Sequence, residues 1–245
     1  MNSPKKSIDE KQLNSDYQWL VMQGLSKYSG QWIAVHDKEV IARDNSLKAV
    51  LKKVTKLQLK TIPLYLRVPE GSVTTWGIVL SSSLSYPFTP IEINGKTVLR
   101  PMLRIILTYN SIDFPTWILV DSGADYSIIR REIVEDAFGV NISKLKKSGE
   151  TCGITGKTSV GEIEIEMKFG TSRKKCVEKI PFNVSLESSK DPPVSLLGRD
   201  PFFYRYRVDF RMGYTDDPSL GKFVLYPEEH KRNAKKYKKP LKIKK

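Results

Sequence analysis

Apolar positions near the start of the chain recur with a helical period. Between residues 17 and 28 they return every three or four positions, which predicts one helix ending at Ser29 and Gly30. The preceding residues 1–16 are mostly polar. We expect them to form a polar arm before the first helix.

Short apolar segments then predict a small α+β unit. Two runs between residues 31 and 43 are typical of paired strands, and the segment 63–69 is typical of a third strand. Residues 44–46 (Asp-Asn-Ser) offer caps for a helix over 47–54. Residues 1–69 are therefore expected to form one small α+β domain.

Strand patterns dominate the rest of the chain. A Ser-rich stretch, 70–88, is expected to be a linker. Asn-Gly at 94–95 lies between alternating apolar residues and predicts a hairpin, and residues 110–115 are expected to form a turn between two strands. The segment 162–169 alternates without a break, which predicts one buried and one wet face. Residues 89–230 are expected to form a mainly β domain.

Composition narrows the classes of function. The chain has 245 residues, of which 40% are hydrophobic and 28% charged, as is ordinary for soluble globular proteins. No apolar run approaches the roughly 18 residues of a membrane-spanning helix, so we expect a cytoplasmic protein without a transmembrane segment. Two Cys and two His, widely separated, argue against a structural zinc site and a disulfide framework. A hydrolase of this composition is expected to use carboxylates.

Net charge is concentrated at one end. The chain carries a formal +14, and residues 231–245 hold nine Lys or Arg and no acid, which leaves +5 for the remainder. This pattern predicts a basic disordered tail. Weak contact of the tail with nucleic acid or an anionic surface is the alternative use.

One segment combines an apolar strand with a carboxylate. Residues 117–120 (Trp-Ile-Leu-Val) lead directly into Asp121, Ser122 and Gly123. The glycine permits a sharp turn, and the apolar flank predicts that the carboxylate lies at a strand end in a poorly solvated setting. A short helix is predicted from Ile128, closed by Gly139.

A second segment repeats this design. Two leucines precede Gly198, Arg199 and Asp200. Asp200 can cap a following helix, for which Pro201 suits the first position. Arg199 is expected to form a structural ion pair with Asp125.

Taken in order, these segments resemble the retroviral-type (retropepsin-like) aspartic proteases. That family carries an apolar strand into Asp-Thr/Ser-Gly-Ala and, later, an apolar pair followed by Gly-Arg-Asp/Asn and a helix. Here 77 residues separate Asp121 from Gly198, and the resemblance covers roughly residues 90–226. The Gly-rich segment 148–158 occupies the place of the family's β-hairpin flap. The flap residues expected to touch substrate are Gly153, Ile154, Thr155 and Gly156.

The resemblance implies a homodimeric aspartic endopeptidase with a retropepsin-like acid protease barrel, which needs no metal and no cofactor. One chain offers one Asp-Ser-Gly, so two Asp121 side chains would meet on a two-fold axis and act on a polypeptide substrate. It implies that the Ser122 hydroxyls interlock beneath them and that the Gly123 backbone contacts the substrate. Ile154 would cover the substrate as an apolar flap tip. The residues assigned to support of the site are Ser122, Gly123, Ala124, Asp125, Gly198, Arg199 and Asp200.

The N-terminal region resembles another family. Residues 28–35 (Tyr-Ser-Gly-Gln-Trp-Ile-Ala-Val), 38–42 and 63–69 are similar to a small domain of unknown function known mainly from archaeal proteins. The resemblance implies an archaeal source and a domain boundary but no activity. Trp32 and His36 are expected to be packing residues.

Other interpretations of the same residues remain open. A catalytically silent dimeric module could bind an anionic partner through residues 231–245. Gly-Lys-Thr at 156–158 is similar to a phosphate-binding loop, but Thr151 stands where that motif needs its first glycine. Cys152 is expected to be an unreactive thiol.

Overall fold

The computed structural model describes most of the chain. The described residues are 7–21, 23, 25–68, 84–93, 96–153, 156–170, 174–212 and 221–228. Within them the chain is mainly β-strand. No helix in these ranges is long and apolar enough to cross a membrane.

The described elements are as follows. The strands in chain order are β1 (Trp32–His36), β2 (Glu39–Asp44), β3 (Leu64–Arg67), β4 (Leu84–Pro87), β5 (Thr89–Ile93), β6 (Lys96–Arg100), β7 (Met102–Tyr109), β8 (Ile112–Val120), β9 (Lys147–Gly153), β10 (Gly156–Gly170), β11 (Lys175–Ser185), β12 (Leu196–Leu197), β13 (Tyr206–Arg211) and β14 (Lys222–Pro227). The helices are α1 (Glu10–Val21) and α2 (Leu47–Lys56), with short helices at Ser26–Tyr28, Ile133–Ala137, Ile142–Lys144, Ser188–Lys190 and Arg199–Phe203.

Residues 7–68, which we call the N-terminal unit, form a three-stranded antiparallel sheet in the order β2-β1-β3. Its strands and α2 lie where the pattern predicts them. Ser46 caps α2, because its hydroxyl accepts the N–H of Ala49 at 3.2 Å. The buried residues of α2 are Leu47, Val50 and Val54.

The predicted start of the first helix is wrong. Helix α1 begins at Glu10, so residues 10–16 belong to it rather than to a polar arm. The carboxylate of Asp9 accepts the backbone N–H groups of Lys11 at 2.9 Å and Gln12 at 3.1 Å, which satisfies the first turn. Leu13 then anchors this turn in the core. The helix also ends earlier than predicted, at Val21.

Residues 84–228, which we call the β body, contain the larger sheet. Its strand order is β11-β10-β7-β8-β12, and β9 pairs with the outer part of β10. Along β10 the burial alternates as predicted, with Ile163 and Ile165 buried and Glu162 and Glu164 exposed. Strands β5 and β6 pair antiparallel on either side of 94–95, which lie outside the described residues.

Two boundaries in the β body differ from prediction. The turn between β7 and β8 takes two residues, Asn110 and Ser111, both with positive φ, so β8 already begins at Ile112. The predicted linker over 70–88 ends too late, because Leu84–Pro87 forms β4. Strand β4 pairs with β14 and β14 pairs with β13. The remaining linker and the predicted tail over 231–245 lie outside the described residues.

Hairpin β7–β8 is covered on both faces. One face packs Leu103, Ile105 and Ile118 into the main core, to which both units contribute side chains. The other face packs Met102 and Trp117 against the N-terminal unit. This double burial explains why β8 is apolar from Phe114 to Val120, apart from Thr116, instead of alternating.

Phe114 on β8 joins the two units, which gives a stability prediction. Its ring stacks on Tyr65 with the centroids 5.0 Å apart, and it is 2% exposed. We expect Phe114→Ala to lower the free energy of unfolding by about 3–5 kcal/mol through lost burial and a cavity. Ile112→Ala, on the same strand but 43% exposed, should cost less than about 1 kcal/mol. Urea denaturation checks both, and equal losses would contradict the assignment.

Candidate active site

Asp121 follows the last residue of β8, and its backbone is held by the neighbouring chain. Strand β12 runs parallel to β8, with Leu197 opposite Val120. The N–H of Asp121 donates to the carbonyl of Leu197 at 3.0 Å. Because β8 is buried on both faces, the position of this residue is fixed by the core.

The Asp-Ser-Gly segment forms a tight turn around the Asp121 carboxylate. The N–H of Gly123 donates to Oδ1 of Asp121 at 2.8 Å, and the N–H of Ala124 donates to the Asp121 carbonyl at 3.3 Å. A Cβ at Gly123 would approach Oδ1 to 3.2 Å and crowd the carboxylate. Ser122 is exposed, and Asp121 is partly exposed. The turn therefore orients one carboxylate oxygen while the side chain stays accessible.

Gly198 brings the two motifs into direct contact. A Cβ on this residue would lie 2.3 Å from the carbonyl oxygen and 2.8 Å from the nitrogen of Tyr126. Only glycine permits so close a backbone approach. The Gly198 N–H also donates to the hydroxyl of Ser127 at 3.2 Å.

Hydrogen bonds beyond Gly198 continue this contact. The N–H of Arg199 donates to the carbonyl of Ala124, and that of Asp200 to the carbonyl of Asp125, both at 2.8 Å. The Arg199 guanidinium forms an ion pair with the Asp125 carboxylate, as the sequence predicts. Both side chains are more than half exposed, so this pair orients the loop more than it stabilises the fold.

The short helix after Gly198 differs in detail from the prediction. It spans Arg199–Phe203, and Asp200 within it has extended backbone angles (φ −98°, ψ 126°). The regular turn thus follows Asp200, consistent with a boundary at Pro201. The helix predicted from Ile128 starts later, because Ile128 forms β-bridges to Asn183 and Leu196 instead.

Sequence reasoning missed two residues of the site, Tyr126 and Ser127. Tyr126 supplies the backbone against which Gly198 packs, and its ring is 54% exposed beside the motif. Ser127 is fully buried, and its carbonyl accepts the N–H of Asn183 at 2.9 Å. A polar residue directly before the apolar pair 128–129 is a signal for a buried, hydrogen-bonded hydroxyl.

Strands β9 and β10 form a hairpin in the place predicted for a flap. Gly153 pairs with Gly156 beside its tip, and Ile154 and Thr155 lie outside the described residues. The hairpin leads into an antiparallel strand rather than a helix, which argues against a phosphate-binding loop at 156–158.

Charged side chains link the two strands of this hairpin. The carboxylate of Glu150 lies 2.5 Å from Nζ of Lys157 and 3.0 Å from Nζ of Lys147. Hydrogen bonds from Lys157 and then Lys147 lower the pKa of Glu150 from 4.5 to about 2. The hairpin therefore keeps this carboxylate ionised in mildly acidic solution.

No cluster of three or more potential metal ligands occurs among the described residues. Cys176 is a free thiol, while the side chain of Cys152 lies outside what is described. Trp32 is a buried packing residue, as expected. His36 is partly buried and bonds the Thr61 hydroxyl at 2.8 Å.

Comparisons with known proteins agree with both resemblances in part. Residues 23–71 match a family of unknown function, DUF5678. Among solved structures, EIAV protease complexed with the inhibitor HBY-793 is 22% identical, with a TM-score of 0.29, over 41% of this chain and 83% of that chain. A retropepsin-like aspartic protease from Rickettsia conorii is 21% identical, with a TM-score of 0.35, over 51% of this chain and 89% of that chain. No curated protein matches the chain.

The close approach at Gly198 predicts a selective effect of one methyl group. We expect Gly198→Ala to lower the free energy of unfolding by about 1–3 kcal/mol or more, since its Cβ would overlap the Tyr126 backbone. Gly149→Ala is the matched control, because a Cβ there meets nothing within 4 Å, and its effect should stay within about 0.5 kcal/mol. Thermal unfolding measures both. A Gly198→Ala protein as stable as the control would contradict the described packing.

The Glu150 contacts predict how the hairpin responds to acid. Because the pKa of Glu150 is lowered on folding, its contribution is complete above pH 4.5 and is lost as the pH falls through about 2. NMR of the side-chain carboxyl should show Glu150 still ionised at about pH 3.5. In the Lys157→Gln variant its titration should move toward ordinary glutamate values, whereas Lys146→Gln, an exposed neighbour, should leave it unchanged. An identical titration in both variants would refute the pairing.

Proposed function

We propose that the protein is an aspartic endopeptidase in which Asp121 residues from two copies of the chain act together on a peptide bond. The observation that carries the proposal is the placement of Asp121 at the end of a buried strand, with its carboxylate held by the Gly123 N–H at 2.8 Å. A rigidly placed and accessible carboxylate is what acid–base hydrolysis requires.

The need for a second copy follows from the chemistry. Activation of water takes an ionised carboxylate, and polarisation of the scissile carbonyl takes a protonated one. The chain has one Asp-Ser-Gly, and the nearby Asp125 is engaged by Arg199. A symmetric dimer supplies the second Asp121 through the same surface of each copy.

Proximity then sets the protonation state of the pair. Two carboxylates about 3 Å apart cannot both stay ionised, so they share one proton. The Gly123 N–H orients one oxygen of each Asp121 carboxylate. One carboxylate is thus the base and its twin the acid.

The reaction proceeds in two stages. The ionised Asp121 accepts a proton from water as the water oxygen bonds to the carbonyl carbon, and the protonated Asp121 gives its proton to the carbonyl oxygen. The resulting diol returns a proton to the pair. The Asp121 that took the proton from water donates it to the amide nitrogen, and the carbon–nitrogen bond breaks. A carboxylic acid and an amine leave, with one proton again shared by the pair.

The β9–β10 hairpin supports an extended polypeptide as the substrate class. Its two strands pair antiparallel from Gly153 and Gly156 to Lys147 and Gly161. In this proposal each copy closes its hairpin over the substrate and excludes water other than the nucleophile. Flap closure would let Gly153, Ile154, Thr155 and Gly156 contact the substrate.

The decisive variant is Asp121→Asn. An amide of nearly the same shape can neither share the proton nor accept one from water, so we expect turnover of an unfolded casein-type substrate to fall by about a thousandfold or more. Asp37→Asn, in an exposed turn of the N-terminal unit, is the matched control and should keep full activity. A metal chelator should have no effect.

The assembly is tested on the same samples. Active wild-type protein should sediment as a dimer, and mixing it with excess Asp121→Asn protein should suppress activity through mixed dimers. Undiminished cleavage by Asp121→Asn protein would reject the mechanism. A stable dimer without cleavage of any unfolded protein would favour the silent binding module.

A further inference from the structure

The N-terminal unit is packed against the β body as one core rather than as a separate domain. Tyr65 stacks on Phe114 at a 7° interplanar angle, and Trp32 meets the same Phe114 ring edge-on at 6.3 Å. All three side chains are at most 5% exposed. Interfaces of this apolar, aromatic kind resemble the inside of a domain, whereas interfaces between mobile domains are more polar.

Hydrogen bonds also cross the boundary between the two units. The indole N–H of Trp32 donates to Oε2 of Glu132 at 2.5 Å, and the Arg130 guanidinium donates to the same oxygen at 3.1 Å. Arg130 also lies over the Trp32 ring at 6.0 Å and is 8% exposed. Parting the units would leave the Trp32 N–H without this acceptor. Bonds of this kind fix orientation as well as position.

A second contact lies on the opposite side of the small sheet. The Tyr17 ring of α1 packs on Trp117 of β8 with the centroids 5.0 Å apart, and the Arg104 guanidinium of β7 lies 5.3 Å from the Tyr17 centroid. Glu10 of α1 forms an ion pair with Lys175 of β11 at 2.7 Å. The N-terminal unit therefore contacts the β7–β8 hairpin at two separate places.

We propose that these contacts hold the N-terminal unit on the β body without the covalent connection, so that a chain cut between residues 69 and 83 persists as a two-fragment complex. The unit is then a permanent cover for the outer face of the strand that carries Asp121, not a pro-segment released by cleavage. The surface on which it docks is the β7–β8 hairpin of the β body, together with the buried Arg130 and the partly exposed Glu132. This proposal does not depend on protease activity.

The test cuts the folded protein. A recognition sequence for a specific endoprotease is placed between residues 69 and 83 of the full chain carrying Asp121→Asn, and the purified protein is cleaved to completion. We expect both fragments to elute together at the size of uncut protein at micromolar concentration, with native mass spectrometry showing a 1:1 ratio. Separation of the fragments in native buffer would overturn the proposal.

Variants show whether the described contacts hold the two fragments together. Tyr65→Ala should weaken fragment association by about tenfold or more, because it removes a buried aromatic anchor. Tyr204→Ala, which removes a ring that is 70% exposed, is the matched control and should leave it unchanged within about twofold. If the Tyr65→Ala protein does not fold, Glu132→Gln is a milder substitute, and it should also weaken association. Association as tight in Tyr65→Ala or Glu132→Gln as in the control would contradict the assigned surface.

Discussion

Burial of β8 on both faces is the constraint on which the rest of the structure depends. One face joins the main core, to which both units contribute, and the other is packed against the N-terminal unit. A strand enclosed in this way has little freedom to shift its register, because a slip of one residue would exchange its two packed faces. Asp121 follows immediately after this strand, so packing on both sides of β8 determines where the carboxylate lies.

The contact between Gly198 and Tyr126 fixes the second motif in position relative to the first. Backbone atoms this close leave no room for a side chain, so the loops after β8 and β12 can only be placed together. Hydrogen bonds from Arg199 and Asp200 to 124–125 complete the junction. The two short motifs, far apart in sequence, thus form one structural element, in which the close backbone contact depends on a glycine.

The local features of this site could be predicted from the sequence, but the packing contacts that hold it in place could not. The pairing of Asp125 with Arg199 was predictable because ordered motifs specify which loops meet. The stacking of Tyr65 on Phe114 was not, because contacts between distant segments leave no period in either one. The start of α1 was missed since its first turn is polar outside and depends on the Asp9 cap. The early start of β8 was missed because Asn110 and Ser111 alone make the turn.

The carboxylates around the site differ in the groups that contact them, which explains why the proposed chemistry needs a second chain. Asp125 is paired with Arg199, Glu132 with Arg130 and Trp32, and Glu150 with two lysines. Each of these carboxylates is already engaged by a cationic side chain, so none of them is placed to act as the partner of Asp121. Asp121 instead accepts a neutral backbone N–H. A second carboxylate against it would disfavour double ionisation, and the two-fold symmetry of a dimer is the arrangement that brings one there.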